Sequence, residues 1–314
     1  MQIPRSVLSI TPRAVFDLWQ KEGKRLKVYL GIDPTADRLH IGHGISLRLL
    51  KKFHDAGHDC TLLLGTMTGA IGDPTGREET RPVLTYTQAQ VNAKKLSTII
   101  DQSFGDFYDL RLNREDWFGA MTVPEFLKYC QSFTLQQLEE RDMFEKRREE
   151  GKGISIPEFL VPILQGIDSH KLDVDVEIGG SDQLFNMLAG RKLQRDMGGK
   201  EKVCITTNLL LGTDGRKMSK TFDNCIYLDD TPKDKFGKTM SISDELVVPW
   251  AELLTDWSEE VLEKARQAKG SEHMQWKMTL GRELVCQYHG EKQCDATWEE
   301  FKELFKPKLN PIIL

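Results

Sequence analysis

Two pairs of basic side chains, in two short and widely separated segments, are able to grip phosphate. His40 and His43 are three residues apart at the predicted start of a helix, so both imidazoles point the same way. A helix N-terminus offers unpaired N–H groups and the positive end of the helix dipole, which favour an anion. Lys217 and Lys220 are three apart in a glycine-containing loop and form a mobile clamp for charge on a transferring phosphoryl group. Together they indicate phosphate chemistry.

Either segment alone is ambiguous. The two histidines also fit satisfied surface residues, and basic loops are common on protein surfaces. Metal ligation by His40 and His43 is a weaker interpretation, because no further His, Cys or paired carboxylate lies at ligand spacing. We therefore predict no protein-bound metal. Gly42, between the histidines, would let a flat ring approach the backbone.

The elements that must position these segments alternate between strand and helix. Apolar runs and four-residue spacing predict a strand, a glycine-containing loop, an amphipathic helix and a strand buried on both faces. The predicted strands are 26–31, 60–65, 174–178 and 203–207, and the predicted helices are 14–20 (capped by Thr11), 42–56 and a third entered at 179–183 and ending near 194. This order predicts a parallel α/β sheet of the Rossmann-like type, with ligands at the strand ends.

Beyond Asp229 the pattern is wholly helical. We predict a Rossmann-like catalytic domain at 1–229 with a helical insertion at about 116–170, then a small helical domain at 230–314. The charged stretch 145–153 favours a solvated helix end over a nucleic-acid contact.

Composition narrows the class of protein. With 39% apolar and 29% charged residues and a net charge of −5, we expect a soluble, cytoplasmic, globular protein whose surface as a whole does not bind nucleic acid. Neither a membrane-length apolar run nor a secretory signal is visible. Six dispersed cysteines without a C-x-x-C pair predict reduced, structural thiols.

The order and spacing of the two basic segments resemble the HIGH and KMSKS motifs of class I aminoacyl-tRNA synthetases, here His40-Ile41-Gly42-His43 and Lys217-Met218-Ser219-Lys220-Thr221. Segments 29–43, 68–77 and 178–186 resemble tyrosyl-tRNA synthetases in particular. The tryptophanyl enzymes share the fold but normally lack the last of these runs. The resemblance extends over nearly the whole chain, and it implies that the helical domain at 230–314 is similar to an anticodon-binding domain.

The resemblance implies a role for each matching position. For the substrate phenol it implies Tyr29 and Asp168; for other substrate contacts Asp33 and Gln183; for the α-ammonium group Asp73 and Gln165; for the ATP site Gly42, Gly180, Asp182, Met218 and Ser219; and around the triphosphate Thr35, His40, His43, Lys217 and Lys220. It further implies an ATP-dependent ligase that forms tyrosyl-adenylate and transfers tyrosine to tRNA(Tyr). Magnesium would arrive with ATP, and the insertion would build a homodimer.

Two departures leave alternatives open. Val161 stands where the family usually has a tyrosine that helps hold the α-ammonium group, and one hydrogen bond to a charged group contributes roughly 1.5–3 kcal/mol. The substrate is then either L-tyrosine or a tyrosine-like molecule with an altered amino group. The sequence also stops at Leu314, where bacterial members usually continue into an S4-like RNA-binding module. A shortened tyrosine–tRNA ligase and a paralogue that serves a non-tRNA acceptor both fit.

Overall fold

A six-stranded sheet forms the centre of the computed structural model, which describes residues 1–72, 84–140 and 142–305. The strands are β1 Val7–Thr11, β2 Lys27–Ile32, β3 Asp59–Leu64, β4 Asp109–Leu112, β5 Val176–Gly180 and β6 Val203–Thr207. Their order across the sheet is β1-β6-β5-β2-β3-β4. All neighbours are parallel except β1 and β6. The predicted α/β fold class is therefore confirmed.

The chain reverses its direction of travel across the sheet between β2 and β5. From β2 it moves outward through β3 to β4, and it then returns to place β5 on the other side of β2. Such a switch point opens a crevice at the carboxyl ends of the two strands. The segments that follow β2 and β5 contain the predicted histidines and the Gly-Gly-Ser-Asp-Gln run, so both begin at this crevice.

Helices connect the successive strands of the sheet, and a further run of helices follows β6. Up to β6 they are α1 Arg13–Lys21, α2 Ile41–Asp55, α3 Thr68–Ile71, α4 Tyr86–Phe104, α5 Val123–Cys130, α6 Leu135–Glu139, α7 Asp142–Glu149, α8 Ile156–Leu172 and α9 Leu184–Asp196. Beyond it follow α10 Pro232–Met240, α11 Val247–Leu254, α12 Glu259–Arg266, α13 Glu272–His289 and α14 Glu291–Phe305. The described chain is thus helical after residue 231, and the domain boundary near 230 stays a prediction. No helix in the described ranges is long and apolar enough to cross a membrane.

The terminal helices share one apolar core with the sheet. Trp250 of α11 and Leu284 of α13 belong to the same buried cluster as Leu62 of β3 and Leu47 of α2. A Cβ added to Gly44 in α2 would come within 2.5 Å of the Tyr288 hydroxyl of α13. The two helices therefore touch where α2 has no side chain.

Most predicted strands and helices are confirmed within a few residues. Two predictions need correction, one about a helix start and one about the cysteines. Thr11 belongs to β1, and α1 begins at Arg13 with Pro12 as its N-cap. Cys286 and Cys294 form a disulfide, because Gly290 ends α13 and returns the chain so that their Cα atoms lie 4.9 Å apart. The other cysteines are free thiols, as predicted.

Two further predictions concern the charged stretch and Asp73, and only the first falls on described residues. The charged stretch 145–153 is the exposed end of α7 and the loop after it, as predicted. Arg147 is the exception: it is buried and pairs with the buried Glu158 at the start of α8. Asp73, predicted at the α-ammonium group, lies outside the described residues.

The close contact between α8 and α9 depends on two facing glycines, and this can be tested. A Cβ on Gly166 would lie 3.2 Å from Cα of Gly190 and 3.3 Å from Cβ of Leu193. We expect Gly166→Ala to lower the free energy of unfolding by about 1–3 kcal/mol, because the helices must move apart. Gly237→Ala in α10 is the matched control: nothing lies within 4 Å of the added methyl group. Urea denaturation measures both, and equal effects of the two substitutions would contradict the packing argument.

Candidate active site

The two predicted histidines lie side by side at the start of α2. The backbone N–H of His40 donates to Nδ1 of His43 at 3.3 Å, and the ring centroids are 4.0 Å apart. This bond leaves the proton of a neutral His43 on Nε2. Within the described structure, Nδ1 of His40 is buried without a hydrogen-bond partner.

Both imidazoles are neutral at pH 7. Burial lowers the pKa of His43 to about 4. Burial also lowers the pKa of His40 to about 2, with smaller contributions from His43 and from the positive charge of Lys217. These side chains can therefore donate hydrogen bonds as neutral groups. The influence of Lys217 on His40 also shows that the two basic segments, far apart in sequence, converge in space.

The lysine loop reaches the segment that follows β5. Lys217 Nζ lies 3.2 Å from Asp182 Oδ2, and both side chains are partly exposed. A hydrogen bond from Lys95 lowers the pKa of Asp37, and the charge of Lys220 adds a smaller contribution. Lys220 therefore lies near the loop that leads into α2. The side chains predicted to bind phosphate are therefore brought together from separate parts of the chain.

Met218 and Asn224 hold the lysine loop in shape. Met218 is 5% exposed and belongs to the main core, so it anchors the loop between the two exposed lysines. The buried Asn224 amide accepts from the backbone N–H of Ser219 at 2.8 Å and donates to the carbonyl of Lys217 at 3.2 Å. Its bond to Asp214 is the largest cause that lowers the pKa of that carboxyl to about 2.

Because Gly42 and Gly180 have no side chains, the side chains of His40 and Asp182 can lie close to the backbone at the crevice. A Cβ at Gly42 would lie 2.8 Å from Nδ1 of His40, so the flat ring that approaches this glycine is that of His40 itself. A Cβ at Gly180 would lie 2.8 Å from Oδ1 of Asp182. Larger residues at either position would push a site side chain aside.

Asp168 lies buried under the crevice with two hydrogen-bond donors. The Asn113 amide donates to Oδ2 at 3.1 Å and the Trp117 indole donates to Oδ1 at 2.9 Å. Burial raises the pKa of Asp168 well above its usual range, although these two hydrogen bonds act in the other direction. Asp33 is close enough to raise it further.

Tyr29 does not hydrogen-bond to Asp168; its hydroxyl has other partners. It donates to Glu177 Oε1 at 2.6 Å and lies 2.9 Å from Ser169 Oγ. Burial, followed by the charges of Glu177 and Asp168, raises the pKa of Tyr29 well above its usual range. The Tyr29 phenol is therefore protonated, and Asp168 is close to it. A Cβ at the exposed Gly31 would lie 3.8 Å from Tyr29 Cε2, an ordinary van der Waals contact, so this glycine borders the ring.

Gln165 and Val161 lie on the same face of α8 as Asp168, one and two turns away. Gln165 Nε2 donates to Glu177 Oε1 at 2.8 Å, which leaves the amide oxygen as the acceptor end of this side chain. Val161 is 2% exposed and contributes only methyl groups.

The remaining predicted positions lie around the same crevice. Asp33 Oδ1 accepts from Thr68 at 2.5 Å above Gly65, where a Cβ would lie 2.1 Å from that oxygen. The backbone N–H of Thr35 donates to the carbonyl of Asp33 at 2.8 Å. The amide oxygen of Gln183 accepts from Asn186 at 3.0 Å.

Five residues that the sequence interpretation did not single out help to build this site: Asn113, Trp117, Glu177, Lys202 and Asn224. Asn113 and Trp117 follow β4, and the rule that ligand sites form at strand carboxyl ends would have found them had β4 been predicted. Glu177 and Lys202 gave a weaker signal, as charged residues beside apolar strand runs. No pattern in the sequence marks Asn224.

Comparisons with known proteins agree with this geometry. The family described as "tRNA synthetases class I (W and Y)" matches residues 21–306. Tyrosine--tRNA ligase of Thermotoga maritima is 40% identical over 310 residues, covering 96% of this chain and 76% of the relative. The enzyme of the same name from Symbiobacterium thermophilum is 41% identical over 280 residues, covering 87% and 68%.

A solved structure shares the fold. The C-terminally truncated mitochondrial tyrosyl-tRNA synthetase of Aspergillus nidulans superposes with a TM-score of 0.78 at 22% identity, covering 96% of this chain and 92% of that one. The sheet, its switch point and the converging basic segments define a class I aminoacyl-tRNA synthetase. Within that class, the relatives at about 40% identity decide the branch. The chain belongs to the tyrosyl-tRNA synthetase family.

The lowered histidine pKa values predict a pH dependence of stability. The unfolded chain takes up protons near the ordinary histidine value of 6.5, but folded His43 does so only near pH 4 and His40 near pH 2. Their contribution to stability is therefore complete above pH 6.5; it is lost as the pH falls towards 4 for His43 and towards 2 for His40. We expect His43→Gln, which keeps an acceptor for the His40 N–H, to flatten the dependence of the unfolding free energy on pH in this window.

Urea denaturation between pH 4 and pH 7 measures this slope. His54→Gln, near the other end of α2, controls for the loss of a half-exposed imidazole from the same helix. An unchanged slope in His43→Gln would show that its imidazole is not held neutral by the fold.

Proposed function

We propose that this protein activates L-tyrosine with ATP to form tyrosyl-adenylate and then transfers the tyrosyl group to tRNA(Tyr). The observation that carries this proposal is the convergence of His40, Lys217 and Asp182 on one crevice beside the buried Tyr29 and Asp168. The first group suits a nucleotide and the second suits a phenol. The relatives that are similar over most of this chain are tyrosine–tRNA ligases.

In the proposed activation step, the tyrosine carboxylate attacks the α-phosphorus of ATP and pyrophosphate leaves. No enzyme nucleophile is needed, so the protein contributes alignment of the two reactants and stabilisation of charge. His40 and His43 donate to the phosphate oxygens as neutral imidazoles, while Lys217 and Lys220 provide positive charge. Asp182 accepts from the ribose hydroxyls once Lys217 has turned to the phosphates.

At the amino acid, Tyr29 and Asp168 bind the phenol. The amide oxygen of Gln165 accepts from the α-ammonium group, with Asp73 as a second acceptor. Val161 adds only apolar contact there. Asp33 and Gln183 border the substrate, with Thr35 near the triphosphate.

Magnesium enters with ATP as part of the substrate complex, since phosphate oxygens and water satisfy its octahedral preference. Among the described residues, no group of three or more His, Cys, Asp or Glu side chains could hold a metal ion. The cytoplasmic location remains a prediction.

The activation step can be tested by ATP–pyrophosphate exchange. We expect exchange with L-tyrosine, and a rate about a hundredfold lower in Lys217→Met, because one preorganised charge opposite the phosphates is lost. Lys233→Met is the matched control, since Lys233 is an exposed lysine paired with Glu300 in the terminal helices. An unchanged rate in Lys217→Met would contradict the role of the loop.

The same assay distinguishes the substrates. β-Tyrosine and 3-(4-hydroxyphenyl)propionic acid both contain the phenol. The first has a displaced amino group and the second has none. A preference for either over L-tyrosine would contradict the proposed substrate and identify a pocket remodelled around Val161. Charging of tRNA(Tyr) is measured separately, and exchange without charging would favour a non-tRNA acceptor.

We further propose that the protein acts as a homodimer through the insertion between β4 and β5. Large apolar side chains are exposed there: Val123 is 71% exposed, Leu127 53%, Leu135 55% and Ile156 76%. Val123 and Leu127 are four residues apart and lie on one face of α5. An apolar face of this kind on a helical insertion favours a self-complementary contact with a second copy.

A charged residue in this face should separate the two copies. We expect Val123→Glu to shift the sedimentation coefficient from that of a dimer to that of a monomer, because a carboxylate would be buried without a partner. Val91→Glu on α4, where the valine is 53% exposed outside the insertion, is the control. A monomeric wild type, or a Val123→Glu protein that stays dimeric, would contradict this interface.

A further inference from the structure

The direction of one buried proton determines what the phenol end of the site can bind. The Tyr29 hydroxyl has a single proton and two oxygen neighbours, Glu177 Oε1 at 2.6 Å and Ser169 Oγ at 2.9 Å. A carboxylate has no proton to give, so Tyr29 must donate to Glu177. With its proton directed to Glu177, the Tyr29 oxygen accepts from the Ser169 hydroxyl, and its second lone pair is what this residue offers to a ligand.

A buried lysine holds the Glu177 carboxylate in place. Lys202 is completely buried and Glu177 is 2% exposed, and their side chains form a direct ion pair. Lys202 Nζ also donates to Ser169 Oγ at 2.8 Å. An ammonium group has only donors, so this arrangement keeps the carboxylate as the single strong acceptor for its neighbours.

The same carboxylate also orients Gln165. Its amide nitrogen donates to Glu177 Oε1 at 2.8 Å, so the amide oxygen is the end left for a ligand. Glu177 thus fixes the polarity of two side chains at once: the Tyr29 oxygen and the Gln165 oxygen both become acceptors. Tyrosine supplies donors at the two matching places, its phenol and its ammonium group.

We propose that Glu177, held by Lys202, is a specificity-determining positioning residue that makes the amino acid pocket accept hydrogen bonds at its phenol end. This inference rests on the proposed function, since it assumes that a phenolic amino acid occupies the crevice. It requires a para substituent that donates a hydrogen bond to Tyr29. Phenylalanine, which has none, is rejected because the second lone pair of the buried Tyr29 oxygen would be left without a donor.

The test reverses the direction of the Tyr29 proton. In Glu177→Gln, the amide oxygen turns to the Lys202 ammonium and the amide nitrogen faces Tyr29, so the Tyr29 proton is redirected towards the ligand. The probe is 4-aminophenylalanine, whose para amino group donates well but accepts poorly. We expect its kcat/KM in ATP–pyrophosphate exchange, divided by that of tyrosine, to fall about tenfold relative to wild type, as for one misdirected hydrogen bond.

A double variant provides the decisive comparison. In Glu177→Gln with Lys202→Met no ammonium competes, so the amide oxygen faces Tyr29 again and the ratio returns to within about threefold of wild type, a difference of well under 1 kcal/mol. Removing both charges together also avoids leaving one buried charge unpaired. Glu158→Gln is the matched stability control, because it breaks the buried ion pair with Arg147 at the start of α8, whereas Asp168 lies near the end of that helix.

Each outcome gives a clear answer. A ratio unchanged in Glu177→Gln, changed equally by Glu158→Gln, or not restored in the double variant would overturn the positioning role. The role would also be overturned if the wild-type protein activated phenylalanine and 4-aminophenylalanine with equal kcat/KM. Calorimetric titration with the two donor-bearing amino acids, without ATP, gives a second measurement of the same ratio. A wild type that binds the amino acids but fails to exchange with ATP contradicts the proposed function alone.

Discussion

The parallel pairing of β2 with β5 is the constraint on which the rest of the structure depends. Val28, Tyr29 and Leu30 of β2 lie opposite Val176, Glu177 and Ile178 of β5. This register places the histidine-bearing helix start and the Gly-Gly-Ser-Asp-Gln segment at the same edge of the sheet. It also places Tyr29 directly opposite Glu177, so the strand pairing that supports the proposed nucleotide site also sets the hydrogen bonding of the proposed amino acid site.

The electrostatics of the site are balanced before any ligand arrives. The positive charge of Lys217 lies opposite Asp182, the histidines are neutral, and Glu177 is paired with Lys202. A nucleotide therefore enters a crevice in which the mobile charges are exposed and the buried charges are already compensated. Only the exposed pair has to rearrange, which keeps reorganisation of the buried groups small.

The sequence predicts well those parts of the molecule that are specified by local pattern. The apolar run of β3, the helical spacing of α2 and the histidine pair were all found because each signal lies within a few neighbouring residues. The edge strands β1 and β4 were missed. In β4 the charged Asp109 and Arg111 alternate with leucine, so the segment resembles a loop. By contrast, α4 could have been predicted, because its buried residues follow helical spacing.

Contacts between distant segments could not be predicted from the residues alone. The partnership of Glu177 with Lys202 depends on how the start of β6 lies beside β5, and the donors to Asp168 come from a segment more than fifty residues earlier. The family resemblance identified Tyr29 and Asp168 as a pair. It did not indicate that the Tyr29 proton is directed towards Glu177, because that direction depends on neighbours which no motif contains.

The contact of Tyr288 with Gly44 bears on how the molecule is divided. The terminal helices lie against the side of the helix whose first turn carries His40 and His43, and they contribute Trp250 and Leu284 to the apolar core under the sheet. A fragment ending near residue 230 would expose this apolar face to water and remove the support behind α2. The helices beyond the sheet thus brace the helix start that holds His40 and His43, and the chain on either side of residue 230 shares one packed core.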